Sequence, residues 1–215
     1  MANFTFYTVA MSRGQIARWA LHEAGADYDQ VVFDWATRPD DFVQINPMNK
    51  VPTLVHHHAA SDGARHDHVV TETAAICHYL AETHPDAGLL PDAHESAAYF
   101  RWLFFAAGPI EQAVLAKALD WKVPPERTAT AGFGTLERAL AVMEGWLSEN
   151  DYVCGERFTM ADVYVGSQFI WGLRFGTIPD TPAFKSYVKR CTARATYQEG
   201  LAIDQALIDA AADEG

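Results

Sequence analysis

Cysteine is scarce in this chain of 215 residues, which has only three, at positions 77, 154 and 191. An odd number of widely spaced cysteines excludes a disulfide scaffold and a zinc finger. Long apolar runs are also missing, and none approaches the roughly 18 residues that a membrane span requires. The first residues lack the basic and apolar segments of a secretory signal. We therefore expect a soluble, cytoplasmic protein without a membrane partner.

Positive charge is in short supply as well. The chain has 16 lysine and arginine residues against 28 aspartate and glutamate residues, so its net charge is -12. Nucleic acids and anionic membranes attract proteins through clustered basic residues, so we expect neither as a partner. A small anionic ligand stays compatible with this charge, because a few placed donors can outweigh a weak overall field.

Histidine is absent after position 94, although nine lie between positions 22 and 94. This change in composition suggests two modules. The first alternates strands and helices, in the order β-α-β followed by β-β-α, and this order predicts a small α/β sheet domain. From periodicity and residue type, we predict strands over 4–7, 31–33, 51–55 and 69–71, and helices over 12–24 and 74–83.

Proline and glycine mark residues 84–92 as a linker. Beyond it the apolar periodicity is helical throughout. We therefore predict an α/β domain over 1–83, the linker, and an all-helical domain over 93–215. Within that domain, helical stretches are expected over 94–119, 125–149, 160–174, 182–193 and 197–212.

Ser12 is the first candidate for chemistry. It follows the first predicted strand and, with Gln15, matches the capping box that opens a helix. Free N–H groups and the positive end of the helix dipole favour an anion at such a position. If the anion is a thiolate, the serine hydroxyl and the dipole lower the pKa of the thiol. The alternative interpretation is an ordinary helix cap.

Two further segments could bind the ends of a peptide. Pro52 stands at the head of a predicted strand, where a cis bond before it is favoured. Such a bond would leave the Val51 backbone ready to pair with an extended peptide. The alternative interpretation is that the proline only ends the pairing of an edge strand. Lys50 could meet a carboxylate or be a solvated charge. Glu72 and Thr73 stand where a strand becomes a helix. There a hydroxyl and N–H groups can hold a carboxylate while an acidic side chain holds an ammonium, although both residues also suit a plain cap.

The order and spacing of these segments resemble the cytosolic glutathione transferase family, and its bacterial, serine-type members most. The resemblance covers essentially the whole chain and implies a thioredoxin-like N-terminal α/β domain followed by an all-helical C-terminal domain. The residues that carry it are 7–12, 46–54, 71–80, 101–109 and a late capping motif at 158–162.

This resemblance implies glutathione as co-substrate, activated as a thiolate that attacks a small hydrophobic electrophile. It implies that Val51, ahead of a cis Pro52, pairs with the cysteinyl backbone of glutathione. It further implies that Glu72 and Thr73 hold the γ-glutamyl end and that Lys50 reaches the glycyl carboxylate. A homodimer is implied too, and no metal is expected.

The activating residue varies between classes of the family. We prefer Ser12 at the helix start, with Tyr7 near the end of the first strand as the alternative, and no cysteine lies in the first 76 residues. Arg13 either assists electrostatically or is only an exposed first-turn residue. Asn49 departs from the glycine or similar small residue usual in the family, and Thr73 departs from serine but keeps the hydroxyl.

Aromatic residues of the helical module are candidates for the electrophile site. We expect Trp102, Phe105 and Trp171 to line an apolar cleft facing Ser12, because ligand sites favour domain junctions, although aromatic residues are core by default. Two other functions stay open on the same fold: a non-catalytic glutathione- or ligand-binding protein, and a glutathione-dependent peroxidase or reductase. Ser12 favours the transferase.

The segment 56–68 carries five histidines. Two pairs of them, each spaced two residues apart, fall on a strand face. Such spacing could bind zinc, copper or nickel. The favoured interpretation is a long hairpin turned at the Asp-Gly pair, 62–63, because that dipeptide is a strong turn signal.

Overall fold

The computed structural model of the protein describes residues 2–59 and 65–213. The chain divides into two compact units, one of Met1–Gly88 with Arg194–Gly215 and the other of Leu89–Ala193. The Asp-Gly turn expected in the histidine-rich segment lies outside the described residues. No helix in the described ranges has the length and apolarity needed to cross a membrane.

The first unit is built on a mixed sheet of four strands in the order β2-β1-β3-β4. Strand β1 runs parallel to β2 and antiparallel to β3, and β3 runs antiparallel to β4. The predicted β-α-β and β-β-α order is confirmed. The elements are β1 Phe4–Thr8, α1 Gly14–Ala24, β2 Tyr28–Val32, α2 Phe42–Ile45, β3 Thr53–Ala59, β4 Arg65–Val70, α3 Thr73–Thr83 and, at the end of the chain, α9 Ala195–Asp213.

Strand β1 separates the two faces of the sheet. Its alternate residues Phe4, Phe6 and Thr8 are buried, as the period of two in a strand requires. Thr5 and Tyr7, which point to the opposite face, are only half-buried. One face therefore supplies the core, while the other keeps polar side chains within reach of solvent.

The last helix, α9, packs on α1 and belongs to the first unit. The domain division predicted from the sequence had assigned all of 93–215 to the helical domain. Arg18 of α1 bonds to Asp204 of α9 across 2.8 Å, with side-chain exposures of 0% and 2%. Glu23 of α1 accepts hydrogen bonds from Arg194 and Thr196. Breaking one partner of such a buried ion pair costs several kcal/mol, on the order of 3–5, so α9 holds α1 firmly.

The second unit is helical, as predicted. A capping motif starts its central helix: Asp162 accepts hydrogen bonds from the backbone N–H of Thr159 and Val153, both at 2.9 Å, and from the Tyr187 hydroxyl. Its elements are α4 Ser96–Phe105, a π-helical segment Ala106–Ile110, α5 Glu111–Ala118, α6 Leu136–Glu149, α7 Met160–Arg174 and α8 Pro182–Thr192.

One detail of this unit agrees with the predicted helical stretch over 94–119, and another differs from the sequence prediction. Pro109 lies within the π-helical segment, so the helical path continues past it into α5. Helix α6 begins at Leu136 rather than near 125, because Thr135 caps it by accepting a hydrogen bond from the Arg138 backbone N–H. Before that cap, only Pro125–Arg127 forms a short 3₁₀ turn.

Candidate functional site

Ser12 lies half-buried in the loop between β1 and α1. Its Oγ donates a hydrogen bond to the Val9 carbonyl (2.6 Å) and accepts one from the Gly14 backbone N–H (3.0 Å). The Gln15 side chain donates to the Ala10 carbonyl instead of reaching back to residue 12. The predicted capping box is therefore wrong. The serine hydroxyl nevertheless bonds the first N–H of the helix, where an anion is favoured.

Gly14 brings that helix start against the end of β1. A Cβ built at Gly14 would lie 1.8 Å from Thr8 Oγ1 and 3.0 Å from Ser12 Oγ. Thr8 is fully buried, and Ser12 is held by its two hydrogen bonds. Neither neighbour can yield easily, so the absence of a side chain at residue 14 sets the position of Ser12.

Tyr7 is the alternative activating residue. It lies on the more open sheet face, with its ring centroid 5.4 Å from that of Phe42. Burial, followed by the carboxylates of Asp41 and Asp67, raises the pKa of Tyr7. A phenol with a raised pKa stays protonated at neutral pH, so Tyr7 can donate a hydrogen bond but does not act as an anion.

Buried polar contacts hold the loop that leads into β3. The amide nitrogen of Asn46 donates to the Lys50 carbonyl (2.8 Å) and to Thr53 Oγ1 (3.0 Å). Thr53 Oγ1 in turn donates to the same carbonyl at 3.0 Å. Sequence reasoning gave Asn46 and Thr53 no role. In the sequence they are only two polar residues on either side of the loop. Their burial in the structure shows that they determine its shape.

Three residues of this loop, Asn49, Lys50 and Val51, come directly before Pro52. The bond between Val51 and Pro52 is cis, as predicted. Among the described residues, no backbone hydrogen bond engages Val51, so its N–H and C=O can pair with an extended peptide. Lys50 is exposed. Asn49 has a φ of 55°, and this left-handed conformation, which asparagine tolerates, explains how it replaces glycine there.

Glu72 and Thr73 lie at the junction of β4 and α3, as expected. Glu72 is exposed and has a φ of 65° and a ψ of 114°. For a residue with a Cβ, such a conformation costs on the order of 1–3 kcal/mol and is concentrated at ligand sites. Thr73 is buried at the first position of α3. The junction thus puts an acidic residue at the N-cap of α3, where the first N–H groups have no partner within the helix.

The remaining predicted residues are dispersed. Arg13 is exposed at the N-cap of α1. Trp102, in the second unit, is a core side chain with 1% of its surface exposed, and its ring lies 5.6 Å from that of Phe105. Phe105 and Trp171 belong to the same unit and are half-buried. Of the three aromatic candidates, only Phe105 and Trp171 therefore have exposed surface that a ligand could contact.

Four histidines of β3 and β4 share one sheet face, and His57 lies on the other. The cross-strand pairs are His56 with His68 and His58 with His66, which confirms the predicted alternation. Burial, followed by neighbouring imidazoles with His58 first, lowers the pKa of His56 to about 4. Across the described part of the chain, no group of three or more His, Cys, Asp or Glu side chains is arranged to hold a metal ion.

Both halves of the chain match known families. The glutathione S-transferase N-terminal domain matches residues 10–83, and the glutathione S-transferase C-terminal domain matches residues 97–195. The glutathione S-transferase GstA of Escherichia coli O157:H7 is 26% identical, over 86% of this chain and 90% of that protein. A probable maleylacetoacetate isomerase of Caenorhabditis elegans is 30% identical, over 78% of this chain and 84% of that protein.

Solved structures share the fold. A sphingomonad glutathione S-transferase in complex with glutathione has a TM-score of 0.69 and 23% identity, over 94% of this chain and 98% of that one. The protein therefore belongs to the glutathione S-transferase family. Its fold is a thioredoxin-like domain followed by a helical domain, and a glutathione-utilising function follows from this membership.

The close approach at Gly14 predicts that Gly14→Ala destabilises the first unit. Because the new methyl group overlaps Thr8, the free energy of unfolding should fall by about 1–3 kcal/mol, as for overpacked cores. Denaturant unfolding followed by circular dichroism measures this. Gly145→Ala is the matched control, since nothing lies within 4 Å of that Cβ and alanine is the better helix former. Equal stability of Gly14→Ala and the parent protein would contradict the interpretation.

Proposed function

We propose that the protein is a conjugating glutathione S-transferase. In this proposal the first unit binds glutathione, Ser12 stabilises its thiolate, and the thiolate attacks a small hydrophobic electrophile. The observation that carries the proposal is the Ser12 hydroxyl at the start of α1, bonded to the Gly14 N–H at 3.0 Å. A hydroxyl, an N–H group and the positive helix end then act together on one anion.

Local groups bind the tripeptide against the overall charge of -12. The Val51 backbone pairs with the cysteinyl residue as an added strand. The Glu72 carboxylate accepts hydrogen bonds from the γ-glutamyl ammonium, and Thr73 with the N–H groups of α3 receives the neighbouring carboxylate. The exposed Lys50 side chain meets the glycyl carboxylate. Each charged end of glutathione thus has an oppositely charged or dipolar partner.

Activation of the thiol follows from the same geometry. In the free protein the Ser12 hydroxyl donates to the Val9 carbonyl, and rotation about its Cβ–Oγ bond redirects the proton to a bound sulfur. A hydrogen bond to a charged group contributes about 1.5–3 kcal/mol, which corresponds to a thiol pKa lower by about 1–2 units. Arg13, exposed at the N-cap of α1, adds positive potential. Tyr7 stays the alternative donor.

The electrophile would meet an apolar wall in the second unit. We assign this wall to Phe105 and Trp171, which are half-buried. Trp102, with 1% of its surface exposed, is not part of this wall. Its ring packs against that of Phe105 within the core. This assignment narrows the three aromatic candidates to the two with surface to offer.

The cysteines favour conjugation over thiol–disulfide exchange. Burial raises the pKa of Cys154 to about 11 and raises that of Cys77 further. Exchange needs an accessible thiolate with a low pKa, and neither thiol provides one. Cysteines that form no disulfide among the described residues suit a reducing compartment, and we propose that the protein is cytoplasmic.

Ser12→Ala should raise the pKa of the bound glutathione thiol by about 1–2 units and slow conjugation, while the affinity for glutathione changes little. Ultraviolet difference titration of the thiolate measures the pKa. Ser148→Ala, on the exposed side of α6, is the control. If Tyr7→Phe shifts this pKa and Ser12→Ala does not, the activating role belongs to Tyr7.

Glu72→Gln should weaken glutathione binding about tenfold or more, because it removes a charge-assisted bond worth about 1.5–3 kcal/mol. Isothermal titration calorimetry gives the affinity directly. The control is Glu82→Gln, at an exposed position of α3, which should leave the affinity for glutathione unaltered. An unchanged affinity in Glu72→Gln would refute the γ-glutamyl assignment.

We also propose a homodimer. Phe100 and Phe104 of α4 are 41% and 65% exposed, and their rings stack at 6.3 Å, an apolar pair that a second copy could cover. Sedimentation velocity at micromolar concentration should give a dimer. A single species of monomer mass would exclude it.

A further inference from the structure

The open face of the sheet carries a second polar group that the glutathione site does not use. Thr5 of β1, His57 of β3 and Asp67 of β4 form a continuous chain of hydrogen bonds. Thr5 Oγ1 lies 2.8 Å from His57 Nε2, and His57 Nδ1 lies 2.8 Å from Asp67 Oδ1. The three residues follow one another as hydroxyl, imidazole and carboxylate.

Strand register explains this arrangement. His57 stands directly opposite Asp67. Thr5 stands opposite Val55, so His57, two residues further along β3, reaches Thr5 diagonally on the same face. The contacts are therefore a property of the sheet and not of a flexible loop.

The position of the protons follows from the chemistry of the groups. The Asp67 carboxylate only accepts hydrogen bonds, so His57 Nδ1 carries the proton of the neutral ring. His57 Nε2 then presents a lone pair to the Thr5 hydroxyl. A hydroxyl bonded to an imidazole that a carboxylate orients is the arrangement of an activated nucleophile.

Reagents have access to this chain. The His57 and Asp67 side chains are 15% and 45% exposed, and Thr5 is half-buried. The imidazole is thus partly withdrawn from water, while the carboxylate that orients it is at the surface. Within the described ranges, all three residues thus keep part of their surface exposed, as reaction with a small reagent requires.

We propose that Thr5 is a self-acylating residue that accepts acyl groups from small activated esters. Thr5 Oγ1 attacks the ester carbonyl carbon and forms a new C–O bond, while its proton passes to His57 Nε2. The bond to the leaving alkoxide or phenolate breaks, and that group departs with the electron pair. The imidazolium then releases its proton to solvent, and Asp67 acts as a positioning residue for the imidazole.

The acyl group should accumulate on Thr5 instead of turning over. Strand β1 is flanked by β2 on one side and β3 on the other, so the backbone N–H groups around Thr5 are engaged in the sheet. Without free N–H donors aimed at the oxyanion, both acylation and hydrolysis are slow. Hydrolysis is the slower step, because it must expel the threonine alkoxide, whereas acylation expels the better leaving group of the activated ester. The expected product is one stable acyl group per chain.

The experiment exposes the full-length protein to 4-nitrophenyl acetate without glutathione, and follows phenolate release and acetylation by peptide mass spectrometry. The peptide containing Thr5 should gain one acetyl group. Thr5→Val, which keeps the shape and removes the hydroxyl, should abolish this modification. His57→Gln should slow it about 100-fold, in line with general base catalysis, and Asp67→Asn at least about tenfold. Thr5→Ser should retain it.

Thr130→Val and His94→Gln, at exposed positions, are controls that should leave acetylation of Thr5 at the parent rate. Melting curves establish that each variant is folded. Acetylation confined to lysines or to the N-terminal amine would overturn the proposal. So would a folded His57→Gln variant that acetylates Thr5 as fast as the parent protein. Glutathione is absent from the assay, so its outcome is independent of the proposed transferase activity.

Discussion

The contact between the end of β1 and the start of α1 is the constraint on which the proposed site depends. Thr8 is buried at the end of the strand, and the helix starts so close to it that a Cβ at Gly14 would overlap its hydroxyl at 1.8 Å. This close approach turns the intervening loop tightly and holds Ser12 beside the first helical N–H. Further along α1, the buried ion pair of Arg18 and Asp204 connects the helix to α9. Helix α1 is therefore held by β1 at its start and by α9 along its length.

Among the described residues, three with a Cβ have a positive φ, namely Asn49, Glu72 and, outside the proposed site, Asp120. The two assigned to the rim of that site, Asn49 and Glu72, have φ angles of 55° and 65°. Each lies immediately beside a group given a role in holding glutathione. Such conformations cost free energy that other packing must offset. Their placement therefore favours ligand binding, and not stability, as the reason that these loops have their shape.

Local patterns in the sequence predicted much of this architecture. Strand and helix order, the cis bond before Pro52 and the junction at Glu72 all follow from features within a few residues of each other. The capping box failed because the Ser12 hydroxyl bonds the Val9 carbonyl, a loop contact that no spacing rule describes. Asp204 could not be matched to Arg18, since 186 residues separate them. The aromatic candidates of the helical unit were equally hidden, because burial alone separates Trp102 from Phe105.

The chain of Thr5, His57 and Asp67 illustrates the same limit for function. Its members come from three strands, and only the sheet register unites them. The histidine-rich composition was visible, but His57 differs from its neighbours in facing the opposite side of β3 to His56 and His58. The number of histidines in the sequence does not distinguish His57 from His56 and His58, whereas the pairing of the strands does.

A crystal structure of the protein in complex with glutathione would test directly whether Ser12 and its neighbouring loops form the glutathione site. We expect the cysteinyl backbone to pair with Val51, the γ-glutamyl end to contact Glu72 and Thr73, and the sulfur to lie within hydrogen-bond distance of Ser12 Oγ. A sulfur out of hydrogen-bond reach of both Ser12 and Tyr7, or a tripeptide bound away from Val51, would contradict this assignment.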